Sequence, residues 1–272
     1  MKAIILLVGH GSRGADGNHE IEEFARQWRA RQPHLHIEVC FIEFAEVLLE
    51  EGLERAVQAA TRASTERIIV VPLIINAAGH VKMEIPEYIA EARMRYPEVE
   101  FLYTRHLGTC EPILAILKRR LGQAMQELDV PDPKTTGIIL LARGSSDPMA
   151  NGQVAEMARW LFEFGDHELV DIAFTGITYP RLERVVQRQV RLGMMQMIIL
   201  PYYLFTGRLI ARIERQVANL REQYPRIRFA CGKYFGFEEE IFQLVDQRVF
   251  EVEDVEGRMS CDGCKYREVA QG

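Results

Sequence analysis

Three residues that can bind a metal ion or accept a proton each follow an apolar run of strand length. They are His10, Glu43 and His80. Two imidazoles and one carboxylate form a mixed nitrogen and oxygen donor set that suits iron, cobalt, nickel or zinc. The same groups can accept protons near neutral pH. For any one histidine the alternative is a structural role, capping a helix or packing in a loop.

Two pairs of similar segments indicate an internal repeat. Residues 4–13 read IILLVGHGSR, and residues 138–146 read IILLARGSS. A second pair of similar segments lies at 68–80 and 197–208. The repeat predicts two copies of one domain, joined by the turn-rich segment 130–134.

The repeat also sets the predicted domain boundaries. We expect an N-terminal lobe at 1–130, a C-terminal lobe at 131–250 and a tail at 251–272 without a counterpart in the first half. In each half, continuous apolar runs alternate with stretches of helical character, which is typical of parallel strands buried on both faces. The predicted fold is α/β, with two similar doubly wound, flavodoxin-like lobes. Ligands are expected beyond the carboxyl ends of the strands and between the lobes.

The two copies differ at all three candidate ligands. When the two copies are aligned, Arg143 corresponds to His10, Arg208 corresponds to His80, and a glycine corresponds to Glu43. A purely structural role would not explain why all three are lost together, so we expect one metal-handling site, in the N-terminal lobe. Guanidinium groups favour carboxylates and phosphates, which predicts an anionic substrate. The alternative is that both arginines form solvated salt bridges.

Composition excludes several classes of function. The chain has 272 residues and a formal net charge of −6, which disfavours nucleic-acid binding. Its apolar stretches are far shorter than the roughly 20 residues of a membrane span. The segment GHGSRG at 9–14 matches neither common phosphate-loop pattern. The five cysteines do not form a disulfide framework, and the N-terminal apolar run lacks a cleavage site, so a cytoplasmic protein is expected.

Three motifs together resemble the sirohydrochlorin chelatases, the cobalt- or iron-inserting members of the class II tetrapyrrole chelatases. They are GHGSR at 9–13, Phe41-Ile-Glu-Phe44, and the segment 72–80 that ends in Gly-His. The resemblance covers both halves, as in the long, internally duplicated form. It implies a divalent metal as substrate, cobalt first and iron or nickel as alternatives. It places the metal-site histidines on His10 and His80 and their acidic partner on Glu43.

The same resemblance implies an ATP-independent reaction in the cleft between the lobes, without a nicotinamide cofactor, for cobalamin or sirohaem synthesis. Sirohydrochlorin is a polycarboxylate, and the residues expected to bind it are Arg13, Lys82, Arg143 and Arg208. Plain solvent exposure is the alternative for Arg13 and Lys82. We expect a monomer or homodimer with no nucleic-acid or membrane partner. A non-catalytic metal- or tetrapyrrole-binding protein is the alternative of another class.

The tail carries a pair of cysteines. Met259-Ser-Cys261-Asp-Gly-Cys264 resembles an element of some long cobaltochelatases that is associated with an iron–sulfur cluster. Only two cysteines lie in this motif, so a four-iron cluster would need ligands from elsewhere in the chain or from a second chain. The residues alone leave three alternatives: a redox pair, one half of a cluster or zinc site, or a solvent-exposed tail.

Overall fold

Two four-stranded parallel sheets form the centre of the fold in the computed structural model of the chain, which describes residues 3–128 and 130–262. The strands of the first sheet are β1 (Ile4–Gly9), β2 (His36–Phe41), β3 (Arg67–Pro72) and β4 (Glu100–Tyr103). Those of the second sheet are β5 (Thr136–Ala142), β6 (Val170–Phe174), β7 (Gln196–Pro201) and β8 (Arg228–Cys231). The strand orders are β2-β1-β3-β4 and β6-β5-β7-β8. This shared topology confirms the prediction of two similar parallel α/β lobes.

Helices connect the strands in both sheets. They are α1 (Ala15–Arg31), α2 (Leu49–Ala63), α3 (Ile85–Arg95), α4 (Glu111–Gln126), α5 (Pro148–Glu163), α6 (Leu182–Arg191), α7 (Arg208–Gln223) and α8 (Glu239–Glu251). A π-helical turn at His80–Glu84 precedes α3, and a 3-10 turn at Val255–Gly257 follows α8. Among the helices in the described residues, none is long and apolar enough to cross a membrane.

The central strands are buried on both faces because helices cover both sides of each sheet. Every residue of β1 is buried, and Leu6 and Leu7, which point to opposite faces, are both 0% exposed. In the second sheet, every residue of β5 is likewise buried. The polar residues that follow these strands therefore emerge at the carboxyl edge of each sheet, which is where the candidate ligands lie.

Contacts divide the chain into two units with boundaries different from those of the repeat. The first unit comprises 1–108 and the chain from 241 onward, and the second comprises 109–240. Helix α4 lies in the second unit, where it packs on β7 and β8, although the repeat places it in the first copy. Helix α8 lies in the first unit, although the repeat places it in the second copy.

Specific contacts fasten α8 to the first unit. The indole Nε1 of Trp28 donates to Asp246 Oδ1 at 2.7 Å. Phe242 stacks on Phe24, with ring centroids 4.3 Å apart. These residues are far apart in sequence, and they explain why boundaries at 130 and 250, drawn from sequence similarity, do not coincide with the packing.

Candidate metal centre

The side chains of His10, Glu43 and His80 meet at the carboxyl edge of the first sheet. Each offers one ligand atom, and these atoms all lie within 4.8 Å of one another. His10 Nδ1 is 3.5 Å from Glu43 Oε1, and the two imidazole centroids are 4.7 Å apart with the ring planes at 79°. Metal–ligand bonds of about 2.0–2.2 Å put donor atoms of one ion roughly 3–4 Å apart. Small side-chain adjustments would therefore let one ion contact all three.

A glycine brings the loops after β1 and β2 into close contact. Gly11 has φ +91°, and a Cβ built there would lie 1.6 Å from the carbonyl oxygen of Glu43. The backbone N–H of Glu43 donates to the carbonyl of His10 at 3.1 Å. Only a residue without a side chain permits this approach. The backbone thus places His10 beside Glu43 before their side chains interact.

The side-chain amide of Asn18, on α1, fastens the same two loops. Its Oδ1 accepts from the Ser12 N–H at 2.8 Å, and its Nδ2 donates to the Phe44 carbonyl at 2.7 Å. Phe44 has φ 53°, a left-handed conformation that is uncommon for an aromatic residue. The guanidinium of Arg13 lies 4.6 Å from the centroid of the Phe44 ring. The loop beside Glu43 is therefore held by several contacts at once.

His80 begins the π-helical turn and is paired within it. Its Nδ1 lies 2.5 Å from Oε2 of Glu84, four residues later. When Nδ1–H donates to a carboxylate, the neutral imidazole carries its proton on Nδ1 and leaves the Nε2 lone pair available to a metal, as in many metal sites. Single π-helical turns are also frequent at functional sites. Glu84 was not predicted from the sequence, although its spacing from His80 was the signal that could have identified it.

The predicted cationic residues are divided between the two units. Arg13, exposed, and Lys82, half-buried, follow His10 and His80 in the first unit. Arg143 follows β5, and Arg208 is the first residue of α7; both are exposed at the carboxyl edge of the second sheet.

The beginning of the tail packs on the first unit. The carboxylate of Asp262 accepts two hydrogen bonds from Arg93, at 2.7 and 2.8 Å. Cys261 is half-buried, with its Sγ 3.6 Å from the Val81 carbonyl, and Cys264 lies outside the described residues. Among residues 3–128 and 130–262, no group of three potential metal ligands includes Cys261.

Fold and site together define a class: a duplicated parallel α/β protein with two histidines and a glutamate at one sheet edge. The CbiX family model matches residues 4–124 and 137–252, and the chain belongs to this family. It is 37% identical over 265 residues to a sirohydrochlorin cobaltochelatase of Priestia megaterium, covering 97% of this chain and 84% of the relative.

Two further comparisons agree. A sirohydrochlorin ferrochelatase of Bacillus subtilis (strain 168) is 32% identical over 274 residues, covering 99% of this chain and all of the relative. The solved structure of SirB from Bacillus subtilis with Fe3+ has a TM-score of 0.78 and 31% sequence identity, covering 94% of this chain and 97% of that one. The resemblance to the sirohydrochlorin chelatases that the sequence motifs predicted is confirmed.

Proposed function

We propose that the chain inserts a divalent metal ion into sirohydrochlorin without ATP, with cobalt as the first candidate ion. The observation that carries the proposal is the convergence of His10, Glu43 and His80, whose donor atoms lie within 4.8 Å of one another. The names of the relatives, a cobaltochelatase and a ferrochelatase of sirohydrochlorin, support the reaction and the substrate. The product would serve cobalamin or sirohaem synthesis.

The donor set has two tasks, because insertion replaces two pyrrole N–H protons of the macrocycle by one metal ion. We assign the delivery of the ion to His80 Nε2, since Nδ1 of this ring contacts Glu84 at 2.5 Å. His10 and Glu43 complete the coordination and, once the ion has passed to the macrocycle, accept the two released protons. Their side chains are 28% and 34% exposed, so a proton accepted there has a direct route to solvent.

The loop after β2 supplies an apolar surface beside the donor set. Phe44 and Leu48 are 45% and 44% exposed, which is unusual for large apolar side chains. A tetrapyrrole face would cover such side chains. A flat macrocycle hides its nitrogen lone pairs in the ring plane, so we propose that the protein binds a bent form. Binding energy from the carboxylates would offset the distortion.

Local cations are needed to bind a polycarboxylate to a chain of net charge −6. We propose that Arg13, Lys82, Arg143 and Arg208 bind carboxylates of sirohydrochlorin. Arg13 and Lys82 belong to the first unit, and Arg143 and Arg208 belong to the second. Arginine binds both oxygens of a carboxylate with its fork of N–H groups.

Iron is the second candidate ion, since one relative is a ferrochelatase and the SirB structure contains Fe3+. Intrinsic affinity rises from iron to cobalt to nickel at any site of this kind, so the donor set alone does not select the ion. Insertion rates with the three ions, measured on one preparation, decide between them. The cysteine pair of the tail remains a proposal for iron–sulfur binding. Anaerobically purified protein without visible absorbance would exclude it.

Insertion assays on alanine variants test the function. His10→Ala and His80→Ala should each lower the rate by more than about a hundredfold, since even groups that only support metal ligands contribute about 10–100-fold. His36→Ala is the matched control. His36 also pairs with a glutamate, at 2.9 Å from Glu38 Oε1, but it lies at the amino end of β2, away from the donor set.

Two results would contradict the proposal. Near-normal turnover in both the His10 and the His80 variants would remove the donor set from the reaction. A spectral change that saturates at one equivalent of sirohydrochlorin, with no further turnover, would identify a tetrapyrrole-binding protein instead of a chelatase.

A further inference from the structure

The carboxyl edge of the second sheet carries arginines where the first carries the metal centre. The positions equivalent to His10, His80 and Glu84 are occupied by Arg143, Arg208 and Arg212. Two imidazoles and the carboxylate that supports one of them have thus become three guanidinium groups. The edge of the second sheet has exchanged groups that bind cations for groups that bind anions.

A fourth arginine of the second unit, Arg181, lies beside the position equivalent to Glu43. Gly176 stands at the position equivalent to Glu43 and leaves that space open. Nη1 of Arg181 lies 3.9 Å from the point where a Cβ at position 176 would be. The Arg181 guanidinium also lies 4.7 Å from the centroid of the Tyr179 ring. The missing side chain therefore gives a guanidinium access to the strand end.

Arg181 lacks an acceptor among the residues that the structure describes. Its Nη1 is buried and makes no hydrogen bond to any of them. A buried N–H without an acceptor is costly, so such groups are normally paired. Several other arginines have carboxylate partners, such as Arg119 with Glu240 at 2.7 Å. Carboxylates are not scarce either, since 39 acidic residues outnumber 33 Lys and Arg.

The Tyr203 hydroxyl adds a neutral polar group to the same edge. It forms a 2.7 Å hydrogen bond with Thr175 Oγ1, at the end of β6. Burial raises the pKa of Tyr203 to about 12, although the Thr175 hydrogen bond and the charges of Arg143 and Arg212 act in the opposite direction. The hydroxyl stays protonated at neutral pH, so it adds no negative charge that would neutralise the arginines.

We propose that Arg181, together with Arg143, forms a carboxylate-binding site at the carboxyl edge of the second sheet. A rotation of the Arg181 side chain would expose the buried Nη1, and the guanidinium fork would then bind both oxygens of one substrate carboxylate. The assignment rests on the proposed function for its ligand, a carboxylate of sirohydrochlorin. Free inorganic phosphate presents the same oxygen chemistry, and the experiment separates the two.

The test is a titration of metal-free sirohydrochlorin, followed by absorbance, into wild-type protein and Arg181→Ala. Loss of a charge-assisted pair should raise the Kd at least about tenfold. Arg181→Lys should recover only part of the affinity, because an ammonium lacks the fork. The matched control is Arg184→Ala, an exposed arginine in the first turn of the helix that follows Arg181, whose guanidinium donates to Gln187 Oε1 at 3.3 Å. It should change the Kd less than about twofold.

Cobalt binding by each variant, measured by calorimetry, shows whether the metal centre and the fold are intact. If Arg181→Ala does not fold, Arg181→Gln is judged by the same thresholds. An Arg181 variant that folds and binds sirohydrochlorin as the wild type does would overturn the proposal. A variant that loses affinity for inorganic phosphate but not for sirohydrochlorin would overturn the carboxylate assignment.

The outcome is separable from that of the proposed function, because the titration contains no metal. Wild-type protein that binds sirohydrochlorin through Arg181 but does not insert a metal would refute the chelatase and support the site. An active chelatase whose affinity for sirohydrochlorin does not depend on Arg181 would support the proposed function and refute the Arg181 site.

Discussion

Replacing Gly11 with alanine tests whether backbone contact between two loops holds the metal centre together. A Cβ at this position would lie 1.6 Å from the Glu43 carbonyl oxygen, whereas real Cβ atoms essentially never approach within 3.0 Å. The loop that carries Glu43 must therefore move by more than about 1 Å. The left-handed φ of +91° adds a backbone penalty of roughly 1–2 kcal/mol.

Both effects can be measured on the same preparation. Ligand distances in a metal site hold to within about 0.2 Å, so the shift should remove Glu43 from the donor set. We expect Gly11→Ala to weaken cobalt binding about 10–100-fold in calorimetry. The free energy of unfolding in urea should fall by about 2–3 kcal/mol, the sum of the backbone strain and the displaced contacts.

The repeat provides a matched control for this experiment. Gly144 is the equivalent glycine of the second unit, with φ +86°, and its Cβ would lie 2.5 Å from the Gly176 carbonyl oxygen. Gly144→Ala therefore carries a similar left-handed backbone penalty and a milder clash, but it disturbs no donor set. Wild-type cobalt affinity in Gly11→Ala would refute the reasoning. So would an equal loss of affinity in Gly144→Ala, because the effect would then be one of general destabilisation.

Three further outcomes are expected. Glu84→Gln should weaken cobalt binding in calorimetry by about tenfold with little change in the urea midpoint, because it removes the charge that orients His80; unchanged affinity would make the pair structural. Asp246→Ala should lower the free energy of unfolding in urea by about 1–3 kcal/mol, because Trp28 Nε1 is left buried without its acceptor. Burial raises the pKa of the Cys231 thiol from 9.0 to about 11, so the folded chain keeps a proton that the unfolded chain releases. As the pH rises from about 9 to about 11, the free energy of unfolding should therefore fall by on the order of 2 kcal/mol more in the wild type than in Cys231→Ala. Parallel plots of unfolding free energy against pH for the two proteins would contradict this.

The strand ends were predictable because two independent patterns identified them. Apolar runs buried on both faces have few interpretations at that length, and the second copy repeats them in the same order. Once β1, β2 and β3 are parallel neighbours, the residues just after them must share an edge. The convergence of His10, Glu43 and His80 needs only this topology, and no knowledge of side-chain conformation.

The exchange of α4 and α8 between the units was not predictable from the same patterns. An amphipathic helix shows an apolar face in its sequence, but that face does not say which sheet it covers. The choice depends on pairs that are distant in sequence, such as Trp28 with Asp246. Glu84 was missed for a related reason, since its role depends on the π-helical turn that brings it to His80.

The two units share the hydrogen bonds and left-handed residues that hold the loops at the sheet edge, although they do not share the metal ligands. In the second unit Asn151 accepts from the Ser145 N–H at 2.9 Å, as Asn18 does from Ser12 in the first. Ile177 has φ 61°, at the position equivalent to Phe44. These features persist where the metal ligands do not, so the fold requires them whether or not a metal site is present. The arginines of the second edge therefore stand on an intact scaffold, which favours a second binding role over decay of an unused site.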